Sequence, residues 1–208
     1  MIATRQLSIA FESTGLKKTN EKDFGLAKYL YLLSIRSLFM LKSLNSRILD
    51  LTISSLDTFY KNRDFQRFWV LEVIARAPYF AFLSVLHFRE SLGLRNPLSM
   101  KLMKEHFYQA VNETEHLEEM ESRGGNRYWI DRFLARHIVL IYYWMMVFYY
   151  LALPSFAYDL NMKIEQHAYE TYSKYLTKHP GDKKISEIAQ DELDHKRELE
   201  EAIGLISG

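Results

Sequence analysis

The chain contains no cysteine. That absence excludes disulfides, thiolate metal sites and thiol redox switching, so any metal must sit on oxygen and nitrogen ligands, as iron and manganese readily do. Proline and glycine are sparse, at four and eight in 208 residues. No run alternates Val, Ile or Thr with polar residues, which argues for an almost wholly helical protein. Charge of one sign is also missing: the net charge of +1 gives no electrostatic reason to expect nucleic acid. Repeats and low-complexity tracts are absent. The amino terminus lacks the basic start, apolar stretch and cleavage site of a secretory signal and is short for a transit peptide, so the sequence is expected to be the working protein.

What is present is apolar surface, 48% of residues, enough for one globular domain with a sizeable core. We expect an amino-terminal arm over residues 1–23 and a single domain over 24–208. Leu26 to Met40 is strongly apolar but carries Lys28 and Arg36, with Lys42 and Arg47 following. Such a helix lies either in a membrane interface or over the bundle as a cover. A second helix is expected from Arg47 to Tyr60, ending in a Lys-Asn-Arg-Asp turn. Four longer helices are expected near 64–92 (with Pro78 kinking it), 99–122 (stopped by Gly124-Gly125), 156–177 and 184–203 (ended by Gly204). A crossover helix, Asp131 to Leu153, joins the second and third. From Arg136 to Asp159 no charge interrupts the chain apart from a possible proton on His137, a length that could span a bilayer. Its many tyrosines and Pro154 instead favour a helix on the bilayer surface or buried in the bundle.

Two Glu-x-x-His steps carry the chemistry: Glu113-Thr-Glu-His116 and Glu192-Leu-Asp-His195. Residues three apart on a helix share a face and can reach one metal ion. Either step alone reads more readily as a solvated helix face. Position changes that reading. Ile185, Ile188, Glu192, His195, Leu199 and Ile203 fall on one stripe, which puts Glu192 and His195 at core positions. Glu72 has four apolar residues before it and three after, and an ionised carboxylate there is costly unless something cationic meets it. With Glu165 as a fourth carboxylate, the set matches a carboxylate-bridged di-iron bundle of the ferritin-like, all-α kind.

Longer strings carry a family resemblance. They are Arg67-Phe-Trp-Val-Leu-Glu-Val-Ile-Ala-Arg-Ala-Pro-Tyr-Phe-Ala-Phe, Asn112-Glu-Thr-Glu-His-Leu, Gly124-Gly-Asn-Arg-Tyr-Trp-Ile-Asp-Arg-Phe-Leu-Ala-Arg-His-Ile and Glu165-Gln-His-Ala-Tyr-Glu-Thr-Tyr. From about Tyr60 to Ala202 the chain resembles the alternative oxidases, in particular their plastid-terminal-oxidase branch. The resemblance implies a membrane-attached, non-haem di-iron quinol oxidase that reduces oxygen to water. It places two iron ions on Glu72, Glu113, His116, Glu165, Glu192 and His195, and a redox-active tyrosine at Tyr172. It further implies quinol contacts at Arg67, Leu71, Ala168 and Thr171, and an outer polar network at Asn112 and Asp191.

Further expectations follow from it: plastoquinol or ubiquinol as substrate, attachment to one leaflet of a thylakoid or plasma membrane of a photosynthetic organism, and a possible homodimer. One departure stands out. Glu165 and Glu192 are closer in sequence than is usual in the family, yet a turn of five or six residues, reaching about 3.3 Å each, still lets both helices meet the metals. Two other readings stay open on sequence alone. One is a di-iron hydroxylase, desaturase or cyclase acting on a lipid-like substrate; the other is a non-catalytic iron-binding helical protein.

Overall fold

The computed structural model describes residues 21–207, with side chains from 40 to 206. The expected arm therefore lies almost entirely outside the described residues, and so do the side chains of the candidate membrane helix before Met40. Among the described residues there are six helices and no strand: α1 Glu21–Phe59, α2 Asp64–Ser91, α3 Pro97–Ser122, α4 Trp129–Ala152, α5 Pro154–Leu176 and α6 Lys183–Ser207. The segment from Lys42 onward forms one compact body.

Two boundaries differ from expectation. The first two expected helices are one helix, α1. The intervening Leu41-Lys-Ser-Leu-Asn-Ser46 holds neither proline nor glycine to break the helix. Asn45 is fully buried and reaches the α5 backbone at Phe156 O (3.0 Å) and the Asp159 carboxylate (2.8 Å). Tyr149 Oη donates to its Oδ1 at 2.9 Å, so Asn45 fastens α1 to α4 and α5. At the other end, α6 runs through Gly204 to Ser207. One helical glycine costs only about 1 kcal/mol, and Ile203 before it and Ile206 beyond it both pack on the core. The α2 helix continues unbroken through Pro78.

Helix starts and turns follow local chemistry. Asn96 caps α3: its Oδ1 accepts from Ser99 N (2.8 Å) and Ser99 Oγ accepts from Asn96 N (3.1 Å), with Pro97 at the first helical position. The start therefore moves two residues ahead of the expected Ser99. After α3, Gly124 takes φ +80°, and Gly125 presses against α2 so closely that a Cβ would meet Phe65 O at 2.5 Å and Trp69 Cβ at 2.6 Å. Only glycine permits that approach. The turn between α5 and α6 is the six residues 177–182, and the geometry closes as expected. Arg123 pairs with Asp182 in that turn and ties it to the end of α3.

Helices α2, α3, α5 and α6 pack together: α2 against α3 and α5, and α6 against α5 and α3. Two apolar clusters fill the body. One holds Tyr79, Phe82, Leu102, Tyr158 and Leu199; the other holds Phe68, Trp69, Leu117, Met120, Tyr172 and Ile188. Each large apolar side chain so buried contributes about 1.5–3 kcal/mol. Along α3, α5 and α6, residues 113, 165 and 192 fall where one cluster gives way to the other. The polar site is thus clamped at mid-length between two apolar plugs.

The crossover α4 packs on α2 and α5 with one face. Its other face exposes Trp129, Phe133, Ile138, Ile141, Trp144 and Phe148. Both α2 and α4 are long and apolar enough to cross a membrane, but α2 is mostly buried in the bundle while α4 is mostly exposed. Three tyrosine hydroxyls of α4 find partners within the protein: Tyr143 Oη bonds Ser84 Oγ at the surface (2.8 Å), Tyr149 reaches Asn45, and Tyr150 Oη bonds Tyr158 Oη (2.8 Å) in the core.

Candidate metal centre

Each helix of the bundle delivers one acid to the interior: Glu72 from α2, Glu113 from α3, Glu165 from α5 and Glu192 from α6, all 0% exposed. His116 and His195 lie one turn beyond Glu113 and Glu192 and are buried with them. The six side chains converge into two groups that could each hold a cation. One is Glu72, Glu113, His116 and Glu192; the other is Glu113, Glu165, Glu192 and His195, with ligand atoms in each within 4.8 Å of one another. Glu113 and Glu192 belong to both groups and can bridge. Glu72 with His116, and Glu165 with His195, are then terminal.

Hydrogen bonding tests whether a metal pair fits. Glu72 Oε2, both oxygens of Glu113 and of Glu192, Glu165 Oε2, His116 Nδ1 and His195 Nδ1 are all buried and hydrogen-bonded to nothing. Buried polar atoms seldom go unsatisfied, since each costs about 1–3 kcal/mol. Here they face one another: His116 Nδ1 is 3.3 Å from Glu192 Oε1 and 3.7 Å from Glu72 Oε2, and His195 Nδ1 is 2.8 Å from Glu113 Oε1. Two divalent cations satisfy all eight atoms at once, and an oxygen-and-nitrogen donor set suits iron or manganese.

Electrostatics agree. Burial, then the charges of Glu192 and Glu113, push the Glu72 carboxyl well above the usual range. Burial, then Glu113 and Glu192, do the same to Glu165. Burial works upward on Glu113 too, but the close approach of the His195 ring and its charge outweigh it and hold that carboxyl low. For His116, burial works downward, yet Asp191 and Glu192 raise the imidazole to about 10. Both imidazoles are thus pushed toward the protonated form, and a cation bound there would compete with protons for them.

The outer contacts also come together. His116 Nε2 lies 3.1 Å from Asp191 Oδ2, which also accepts from Asn112 Nδ2 at 3.4 Å. Such a carboxylate fixes the ring so that Nδ1 points at the metal position. Tyr172 is fully buried and its hydroxyl donates to Glu72 Oε1.

A second phenol, which sequence reasoning did not single out, does the equivalent on the other side. Tyr79 Oη donates to Glu165 Oε1 at 2.8 Å. The signal was in the spacing: Glu72 to Tyr79 and Glu165 to Tyr172 are both seven residues. Each tyrosine reaches across to the other helix's glutamate.

The four positions expected to touch quinol do not line one cavity. Arg67 and Thr171 line a polar cleft of about 480 Å³ with Tyr60, Lys61, Phe68 and Lys174. Leu71 lines a small apolar cavity of about 90 Å³ with Ile74, Ile138, Tyr142 and Ile164. Ala168 is fully buried between helices. Arg67 pairs with Asp57 of α1 at 2.7 Å, and its Nε is buried without a partner.

Comparison with known proteins comes down to two likenesses. The family model "Alternative oxidase" matches residues 28–197, a span that contains all six candidate ligands and both tyrosines. "Ubiquinol oxidase 4, chloroplastic/chromoplastic" of Arabidopsis thaliana is 48% identical over 135 residues, 65% of this chain and 38% of that protein. The chain therefore spans well under two thirds of the length of that relative, whose chloroplastic name agrees with the expected branch. No solved structure matches.

Proposed function

We propose that the chain, which belongs to the alternative oxidase family, is a membrane-attached di-iron quinol oxidase that reduces oxygen to water with plastoquinol as electron donor. The observation that carries this reading is the pair of buried ligand groups sharing Glu113 and Glu192. The two groups would hold two iron ions, which when bound would supply electron storage for the reduction of oxygen. Glu72, His116, Glu165 and His195 hold the outer corners of the site, and Asp191 with Asn112 keeps His116 turned inward.

Quinol is placed at the Arg67 cleft. Arg67 and Thr171 present donors to the head group, and Phe68 lines the same cleft. The Phe68 ring packs on Tyr172 with centroids 4.7 Å apart, so a quinol in the cleft is one ring away from the phenol bonded to Glu72. Tyr172 passes electrons inward, while Leu71 and Ala168 stay in the packed interior outside the cleft. Two quinols are consumed per oxygen, each giving two electrons and two protons. Apolar quinol arrives from lipid, and the exposed Trp, Phe and Ile face of α4 supplies the attachment to one leaflet. A homodimer and a thylakoid or plasma-membrane location of a photosynthetic cell complete the reading.

The test is oxygen uptake by purified, iron-loaded protein with a short-chain plastoquinol. Two quinols oxidised per oxygen, with no oxygenated product, is the expected result. A hydroxylated or desaturated product would move the protein to the lipid-modifying class, and iron uptake without turnover would make it a binding protein. Labels at the two ends of α4 should react from the same side of sealed vesicles; reaction from opposite sides would overturn the one-leaflet placement.

A further inference from the structure

Beyond the metal centre, a fully buried chain of polar side chains runs through the aromatic cluster, and the reading above makes no use of it. His106 is 1% exposed and both ring nitrogens are bonded: Nδ1 to Gln109 Oε1 at 2.8 Å and Nε2 to Tyr158 Oη at 2.7 Å. Gln109 Nε2 donates to the carboxylate of Glu198 on the exposed side of α6 at 2.7 Å. Tyr158 Oη also meets Tyr150 Oη at 2.8 Å.

The terminal carboxylate sets the direction of every bond, because it can only accept. The Gln109 amide must donate to it, which leaves Oε1 to accept the Nδ1 proton. Nε2 then carries a free lone pair, Tyr158 donates to it, and Tyr150 donates to Tyr158. Burial pushes the His106 imidazole down to about 4, so it is neutral as this pattern requires.

The pair is also in ring contact with the centre. Tyr79 lies 5.8 Å from the His195 ring and 6.0 Å from the His106 ring, between centroids. Phe82 bridges Tyr79 (6.3 Å) to Tyr158 (4.8 Å). We propose that Tyr158, paired with His106, is a second redox-active phenol, one that holds an oxidising equivalent drawn from the metal centre by way of Tyr79.

This proposal rests on the di-iron reading, which supplies the oxidant: the metal centre after it has reacted with oxygen. Tyr158 loses one electron toward the centre, and its phenolic proton crosses the 2.7 Å hydrogen bond to His106 Nε2. The products are a neutral tyrosyl radical and an imidazolium. The imidazolium stays bonded to Gln109, whose partner Glu198 supplies the balancing negative charge. The step reverses when an electron from quinol returns through the centre and His106 gives its proton back. Tyr172 beside the open cleft serves electrons coming in, whereas Tyr158 holds the oxidising equivalent when quinol is scarce.

The experiment is freeze-quench electron paramagnetic resonance on reduced, iron-loaded protein mixed with oxygen in the absence of quinol. A tyrosyl signal is expected, to fall at least ten-fold in Tyr158→Phe with iron content unchanged, and to persist in Tyr172→Phe. In unmutated protein exchanged into D2O, the radical should couple to two hydrogen-bonded deuterons, one from His106 and one from Tyr150. No radical, a radical that survives Tyr158→Phe or is lost in Tyr172→Phe, or coupling to fewer than two deuterons would overturn it. If the reduced iron protein fails to consume oxygen, the quinol-oxidase reading fails by itself. Hydrogen peroxide then serves as oxidant, and a Tyr158 radical is still required.

Discussion

The two halves of the metal site are built alike and surrounded differently. Each has a terminal glutamate, a histidine three residues after a shared glutamate, and a tyrosine that crosses to the terminal glutamate. The Tyr172 half abuts Phe68, which together with Arg67 and Thr171 lines a cleft of about 480 Å³. The Tyr79 half is walled by Phe82, His106 and His195 within a closed aromatic cluster. Near-identical candidate ligands therefore lie beside an open cleft, the proposed quinol site, on one side only. What differs between the halves is access and hydrogen bonding, so substitutions should separate them.

The largest effect comes from erasing the distinction altogether. Glu113→Ala or Glu192→Ala removes ligand atoms from both groups, so iron content should fall from about two per chain to near zero. Glu72→Ala or Glu165→Ala leaves the opposite group whole and should leave about one iron per chain. All four abolish turnover. Iron assay alongside oxygen uptake decides it, and equal iron loss in both classes would break the assignment of shared and terminal ligands. Asp191→Ala acts behind His116 only and should weaken metal affinity about 10–100-fold.

The tyrosines sharpen the contrast next. Tyr172→Phe should keep full iron content while quinol oxidation falls about 100-fold or more, because it stands between cleft and metals. Tyr79→Phe faces no cleft. It leaves Glu165 Oε1 short of a donor, costing about 1–3 kcal/mol of stability, while quinol oxidation should drop less than about ten-fold. Reversed magnitudes in the steady-state rates would place quinol on the other side of the site.

How far could the sequence be read? Of the six candidate ligands, Glu72, Glu192 and His195 were legible as polar residues where an apolar helix face demands otherwise, whereas Glu113, His116 and Glu165 rested on the Glu-x-x-His spacing and the family resemblance. Helix ends written in glycine and proline were also legible, as at Gly124-Gly125 and the turn holding Pro180. The join within α1 was not, because Asn45 looks like a loop residue until its partners, Asp159 and Tyr149, are known to be more than a hundred positions away. Tyr79 was missed for a related reason. Its spacing from Glu72 repeats that of Tyr172 from Glu165, but a tyrosine in an apolar run ordinarily packs as core, and only the cross-helix bond to Glu165 gives it a role. The cleft depends on where α1 ends against α5, which no local pattern encodes.

The closed half should also respond to acid in a way the open half does not. His106 is held at about 4 by burial, below its ordinary 6.5. Above pH 6.5 it is neutral folded or unfolded, and its contribution to stability is intact. Between pH 6.5 and 4 the unfolded chain takes up a proton that the folded chain refuses, so stability is lost as pH falls, by at most about 3 kcal/mol. Melting temperature followed from pH 7 to pH 4 should decline less steeply in His106→Gln than in the unmutated protein. Parallel curves would mean that His106 is free to take up a proton in the folded state.

The smallest effect tests the acidic run just beyond the ligands of α3, at the end beneath the open half. Glu118, Glu119 and Glu121 look alike in sequence, as a solvated stretch. Structurally they differ: Glu121 Oε1 accepts from Trp69 Nε1 at 3.1 Å, Glu119 Oε1 meets Arg123 Nε at 2.6 Å, and Glu118 is exposed. Trp69 belongs to the cluster that packs beside Tyr172, and its indole donor needs that acceptor. Glu121→Ala should therefore cost about 1 kcal/mol, a fall of about 2–4 °C in melting temperature for a chain of this size. Glu119→Ala loses one rim of the Arg123 pair, which also grips Asp182, and should cost about half as much. Glu118→Ala should fall within about 0.5 kcal/mol of the parent. Iron content should stay unchanged in all three. Loss of metal in any of them would show that the ligand boundary at His116 is drawn in the wrong place.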